Sequence, residues 1–99
     1  MKALSQFVLV SSLVLTQFSF ANAETTALQQ AVQNPARTEA NKARDPYRHP
    51  VETLAFFGVT PQSTVVEISP GAGWYTEILA PLLAKEGKYY AAHFPANSM

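Results

Sequence analysis

Cysteine is absent from this 99-residue chain, and histidine occurs only twice. Without cysteine no disulfide framework can form, and two isolated histidines do not make a metal-binding pattern, so we expect no metal site. Lysine and arginine together number seven, as do aspartate and glutamate, so the formal net charge is zero. This balance gives no reason to expect a nucleic-acid-binding surface or a basic membrane-binding helix.

Residues 1–23 have the three-part layout of a secretory signal peptide. Lys2 supplies a basic start, residues 7–15 form a short apolar core, and residues 21–23, Ala-Asn-Ala, form a small-residue cleavage site. The apolar core is well short of the roughly 20 residues that span a bilayer, which favours cleavage after Ala23 over an uncleaved anchor. We therefore expect an exported protein, periplasmic or secreted, without stable membrane insertion once the leader is removed.

Residues 24–49 predict a helical and linker segment. A weakly amphipathic helix is expected at 25–33, and a polar stretch follows it. That stretch ends in a cluster of charged and polar residues formed by Arg44, Asp45, Arg48 and His49. Two interpretations of the cluster are open: a solvated segment with local ion pairs, or a flap over a ligand site.

Residues 50–99 predict one βαβ unit. A proline-initiated helix is expected at 51–57, and the β-branched run at 64–68 predicts a strand that is covered on both faces. An apolar stripe predicts a helix at 74–86, and a second strand, rich in aromatic residues, follows at 88–94. A helical connection of this length between two strands predicts parallel pairing. On the helix, Tyr75 falls on the buried stripe and Trp74 falls beside it.

The junction between the first strand and its helix is the most informative feature. Glu67 lies in the apolar strand, and a turn containing Gly71 and Gly73 follows before the helix begins. Glycines let the backbone approach a ligand closely, and a helix start offers free N–H groups. A carboxylate in an apolar strand needs partners, and the turn amides are the nearest candidates. The pattern therefore predicts a cofactor-binding corner.

The corner differs from two well-known nucleotide-binding patterns. A P-loop is excluded, because no Gly-Lys-Ser/Thr follows the turn. A dinucleotide fingerprint requires a third glycine where this chain has Thr76. A fragment of a dinucleotide-linked oxidoreductase stays open as an alternative, as does a small exported non-enzymatic protein in which the glycines only make a tight turn.

Residues 67–73, Glu-Ile-Ser-Pro-Gly-Ala-Gly, resemble motif I of class I S-adenosylmethionine-dependent methyltransferases. Residues 44–58 and 73–82 are similar to a family of exported, predicted methyltransferases, and the resemblance covers about residues 37–94. It implies an incomplete Rossmann-like α/β fold, with N-terminal helices and one βαβ unit, and S-adenosylmethionine as the small-molecule cofactor. The cofactor-binding residues that it implies are Glu67, Ser69, Gly71, Ala72, Gly73, Trp74 and His93.

The chain departs from the family pattern at two positions. Ser69 replaces the first glycine of the motif, and a negative φ at Ser69 would let the serine keep the loop conformation. His93 follows the second strand, where such methyltransferases place an acid that binds the ribose hydroxyls. A complete fold of this type needs about five strands or more. We therefore expect the chain to be an N-terminal portion that is inactive alone, with its catalytic residues and methyl acceptor unidentified.

Overall fold

The computed structural model describes residues 23–95 and Asn97. The expected signal peptide, apart from Ala23, lies outside the described residues. The described part of the first helix, α1, covers residues 23–32. The elements that follow are α2 (Glu39–Lys42), α3 (Asp45–Arg48), α4 (Pro50–Phe56), β1 (Thr64–Ile68), α5 (Thr76–Leu83) and β2 (Lys88–Ala92). Within the described part of the chain, no helix combines the length and the apolar character that crossing a bilayer requires.

The helix α4 has clear start and stop signals. Pro50 is its first residue, a position where the missing N–H of proline is harmless. Gly58 follows its last turn with a φ of 72°, the left-handed conformation that commonly ends helices. The amide of Val59 then donates to the carbonyl of Leu54, which turns the chain toward β1. The predicted proline-initiated helix is confirmed.

The two strands form a parallel sheet in which Thr64 pairs with Lys88 and Ile68 pairs with Ala92. The amide of Ser69 donates to the carbonyl of Ala92 at 2.9 Å and extends the pairing by one bond. The predicted strand at 64–68 and its parallel pairing are confirmed. The fold is therefore mixed α/β, with helices followed by a strand–helix–strand unit, and the carboxyl ends of both strands lie at the same edge of the sheet.

One hydrophobic core joins the N-terminal helices to this unit. Its buried members come from α1, α4, the turn before α5, and α5 itself; they are Leu28, Ala31, Leu54, Trp74, Ile78, Leu79 and Leu83. Val65 and Tyr89 pack against this core from the sheet. Full burial of an aliphatic side chain such as Ile78 contributes about 1.5–3 kcal/mol. The apolar stripe predicted for α5 is therefore covered by the chain's own N-terminal helices.

The prediction that β1 is covered on both faces is wrong. Burial alternates along the strand, and Val66 and Ile68 are 59% and 79% exposed. Tyr90 on β2 is 55% exposed as well. An uninterrupted aliphatic run suggested two covered faces, but no described element packs on the face opposite α5. The sheet therefore has one face on the core and one open apolar face.

Of the four glycines, Gly87 has the closest surroundings. A Cβ added there would lie 2.6 Å from the carbonyl oxygen of Ser63 and 2.7 Å from that of Pro61. The same Cβ would lie 2.7 Å from a methyl carbon of Leu83. The amide of Lys88 donates to Ser63 at 3.0 Å and brings these segments together where β2 starts. Only glycine fits between α5 and β2 without displacing the backbone.

Candidate functional site

The turn after β1 has an alternating backbone conformation. Ser69, Gly71 and Gly73 have φ angles of 53°, 58° and 81°, so every second residue is left-handed. The negative φ under which a serine would keep the loop conformation is not found at Ser69, which is left-handed. The left-handed conformation costs a residue with a Cβ roughly 1–2 kcal/mol, so the contacts around Ser69 must stabilise it. The three positions of the turn that correspond to motif glycines thus share one conformation, although one of them is serine.

This alternation leaves several backbone donors unused. The Gly73 amide donates to the carbonyl of Pro70 at 3.0 Å and closes the turn. Within the described residues, the neighbouring turn amides donate no hydrogen bond, namely those of Gly71, Ala72, Trp74 and Tyr75. Successive free N–H groups in such a turn make a concave, positively polarised surface that suits an anionic group.

Glu67 braces the strand–helix–strand unit. Its Oε2 accepts hydrogen bonds from the Thr76 hydroxyl at 3.0 Å and from the Tyr89 hydroxyl. The expectation that turn amides are its partners is wrong, because Glu67 lies on the sheet face that carries α5. Burial, together with the bond to Glu67, raises the pKa of Tyr89 above its ordinary value, while the bond to Thr76 opposes this. The carboxylate therefore ties β1, α5 and β2 together below the turn.

Trp74 anchors the turn to the N-terminal helices. It is 3% exposed, and its Nε1 donates to the carbonyl of Asn41 at 3.1 Å and to Oδ1 of Asp45 at 3.0 Å. The prediction placed Trp74 beside the buried stripe of a helix, but Trp74 is buried. It precedes α5, which starts at Thr76, so helical spacing does not determine where its side chain lies. Tyr75 packs against the core but stays partly exposed.

The acceptor of Trp74 belongs to a buried ion pair. Arg37 is 3% exposed and donates from both terminal nitrogens to Asp45, at 2.6 and 2.9 Å, and also to the carbonyl of Val32 at 2.7 Å. The hydrogen bonds from Arg37 hold the pKa of Asp45 below its ordinary value, against the opposing effect of burial. The same bonds raise the pKa of Arg37. Sequence reasoning missed this pair, because Arg37 lies in a turn without helical periodicity.

Glu77 closes the network on the side of α5. Its Oε2 lies 3.8 Å from Nε of Arg37 and accepts from the Thr38 amide at 3.3 Å. Burial raises the pKa of Glu77, but hydrogen bonds from Asn41 and Thr38, with the charge of Arg37, outweigh it and leave the pKa low. The polar network therefore fixes the N-terminal helices against the start of α5.

A groove of about 660 Å³ opens beside the turn. Its walls come from the end of α4, from β1 and from the turn, and they include Leu54, Phe57 and Val65. Of the residues predicted to bind a cofactor, four line the groove: Glu67, Ser69, Ala72 and Trp74. Gly71 and Gly73 belong to the same turn but do not line it, and neither does the exposed His93 that follows β2.

The members of the polar cluster at residues 44–49 have different surroundings: two line the groove and one belongs to the ion pair with Arg37. Arg44 and Arg48 line the groove. The guanidinium carbon of Arg48 lies 3.9 Å from the ring centroid of Trp74 and 5.2 Å from that of Tyr75. Asp45 does not line the groove and pairs with Arg37. This segment therefore supplies one wall of the groove.

Comparison of the chain with protein-family models, with curated proteins and with solved structures finds no match. Among the described residues, no group of three or more histidine and acidic side chains is placed to hold a metal ion. Any functional assignment therefore depends on the geometry of the turn and the groove.

Proposed function

We propose that the turn at 69–75 binds the amino-acid end of S-adenosylmethionine, in a methyltransferase-like protein whose first βαβ unit is β1, α5 and β2. The observation that carries this proposal is a turn at the carboxyl end of a parallel strand that combines three left-handed residues with neighbouring amides that donate no hydrogen bond within the described residues. Open α/β sheets bind their ligands at this edge. The finer fold, an incomplete Rossmann-like domain, is part of the same proposal.

The residues of the turn suit this cofactor. Free amides at Ala72 and Trp74 can bind a carboxylate, and the glycines leave no side chain between backbone and ligand. Glu67 holds the strand and helix that carry the turn. His93 follows β2 at the same edge, where its ring can bond a ribose hydroxyl. When bound, the cofactor supplies a transferable methyl group; no described residue is assigned a catalytic role.

The test is a fluorescence titration of the chain with S-adenosylhomocysteine, observed through Trp74, its single tryptophan. Gly71→Leu should abolish binding, because a side chain would project where the backbone meets the ligand. Gly58→Leu is the matched control, since Gly58 shares the left-handed conformation and has no heavy atom within 4 Å of an added Cβ. Equal affinity in the wild type and Gly71→Leu would overturn the proposal.

A parallel titration with a nicotinamide dinucleotide separates the alternatives. Saturable binding of the dinucleotide alone would assign the corner to an oxidoreductase. Binding of neither ligand would favour a purely structural glycine turn in a non-enzymatic protein. Either result contradicts the cofactor assignment made here.

We propose in addition that the protein is exported. The support is the layout of residues 1–23, with Lys2, the apolar core and the Ala-Asn-Ala site. Mass spectrometry of the protein expressed in a bacterial host should find a mature N-terminus at Glu24. A product that keeps Met1 and stays with the membrane would contradict export with cleavage.

A further inference from the structure

Two arginines that face the groove lie one helical turn apart. The amide of Arg48 donates to the carbonyl of Arg44 at 3.1 Å, so the two side chains leave the same side of the chain, and both line the groove. Like charges at this spacing destabilise a helix. The arrangement therefore costs stability unless an anion compensates it.

Neither Asp45 nor Glu67 forms an ion pair with these two arginines. Asp45 is bound by Arg37 and by Trp74, and Glu67 accepts from two hydroxyl groups. In the described part of the chain, neither Arg44 nor Arg48 has a carboxylate within 4.0 Å. The groove thus presents two guanidinium groups without an ion-pair partner among the described residues, although the Glu67 carboxylate, whose hydrogen-bond partners are neutral hydroxyls, also lines it.

The guanidinium of Arg48 lies over an aromatic ring that is itself held in place. The ring belongs to Trp74, which is fixed by hydrogen bonds to Asn41 and Asp45. A guanidinium stacked on an aromatic face keeps its in-plane N–H groups available for a carboxylate or a phosphate. The side chain is therefore ordered before any ligand arrives, which lowers the entropy cost of binding.

We infer that Arg44 and Arg48 form an anion site that takes the carboxylate or phosphate group of a second small molecule, the methyl acceptor. This inference rests on the proposed cofactor function of the neighbouring turn. The cofactor is a poor occupant for the arginine pair, because it carries a sulfonium and an ammonium group that two arginines repel. Its single carboxylate is assigned to the free amides of the turn.

The experiment titrates the chain with inorganic phosphate and, separately, with acetate, at constant ionic strength and with Trp74 fluorescence as the signal. An anion bound to the guanidinium of Arg48, which lies over the indole, changes the electrostatic environment of the indole and therefore its fluorescence. Arg44→Gln/Arg48→Gln should weaken binding of the preferred anion about tenfold or more. The control, Lys85→Gln/Lys88→Gln, removes the same charge from residues outside the groove and should change affinity about twofold or less.

A third arm measures S-adenosylhomocysteine binding by the same variants. We expect it to stay within about twofold of wild type in the arginine double variant. Equal anion affinity in wild type and double variant, or loss of S-adenosylhomocysteine binding with the arginines, would overturn the acceptor site. Anion binding without any S-adenosylhomocysteine binding would instead overturn the cofactor function. If the double variant does not fold, the exposed Arg44→Gln alone provides the comparison.

Discussion

The buried pair of Arg37 and Asp45 should be asymmetric in its contribution to stability. The Arg37 side chain is 1% exposed and that of Asp45 is 18% exposed. Asp45→Ala leaves a buried guanidinium with one carbonyl acceptor and with Glu77, 3.8 Å from its Nε, as the remaining carboxylate. We therefore expect a loss of about 3 kcal/mol, the lower end of the range for breaking a buried ion pair. Arg37→Met leaves a carboxylate that still reaches water and the Trp74 indole, for which we expect about 1–3 kcal/mol. The double variant should cost less than the sum of the two, because the partners form one unit.

Urea unfolding followed by far-ultraviolet circular dichroism at neutral pH measures these differences without depending on Trp74. Asp45→Asn, which keeps an acceptor oxygen, replaces Asp45→Ala if the alanine variant does not fold. Equal destabilisation by Arg37→Met and by the Asp45 variant would contradict the predicted asymmetry. Strict additivity in the double variant would likewise show that the pair does not act as a unit.

Three further predictions concern stability. Gly87→Ala should lower the free energy of unfolding by about 1–3 kcal/mol or more, because the added Cβ clashes with two carbonyl oxygens. Gly58→Ala, where only the φ is unfavourable, should lower it by about 1–2 kcal/mol. Thermal melts in which Gly58→Ala is the less stable variant would contradict the close approach at Gly87. Because the folded-state pKa of Asp45 lies below its ordinary 3.8, the free energy of unfolding should fall as pH drops below about 4. In a plot of the urea midpoint against pH, Asp45→Asn should reduce the slope in this acid range. The raised pKa of Tyr89 predicts that the free energy of unfolding decreases as pH rises above about 10. A Tyr89→Phe variant that loses the same amount of stability over this pH range would contradict the prediction.

The parts of the fold that follow from local pattern were predictable. The β-branched run marked β1 residue for residue, and the length of the connection between the strands predicted their parallel pairing. Pro50 and Gly58 marked α4, since each acts through its own backbone geometry. These signals depend on neighbouring residues alone, which is why a single sequence carries them.

The parts that depend on distant partners were not predictable. Arg37 is buried because Asp45, eight residues later, turns back to meet it. Trp74 is buried because the turn, and not the helix, sets its direction. Whether the second face of β1 is covered depends on which elements exist to cover it, and an apolar run such as Val65-Val66 reads the same in both cases. The site was therefore predicted as a turn, but not with the network that holds it.

The most direct test of the central claim is an amide proton–nitrogen spectrum of the chain, recorded as S-adenosylhomocysteine is added. We expect large, saturable shifts at the unused turn amides of Ala72, Trp74 and Tyr75, with little change at Gly87, which precedes β2 at the opposite edge of the sheet. Turn amides that do not shift at saturating ligand, or shifts confined to residues away from the groove, would contradict the claim that this turn binds the cofactor.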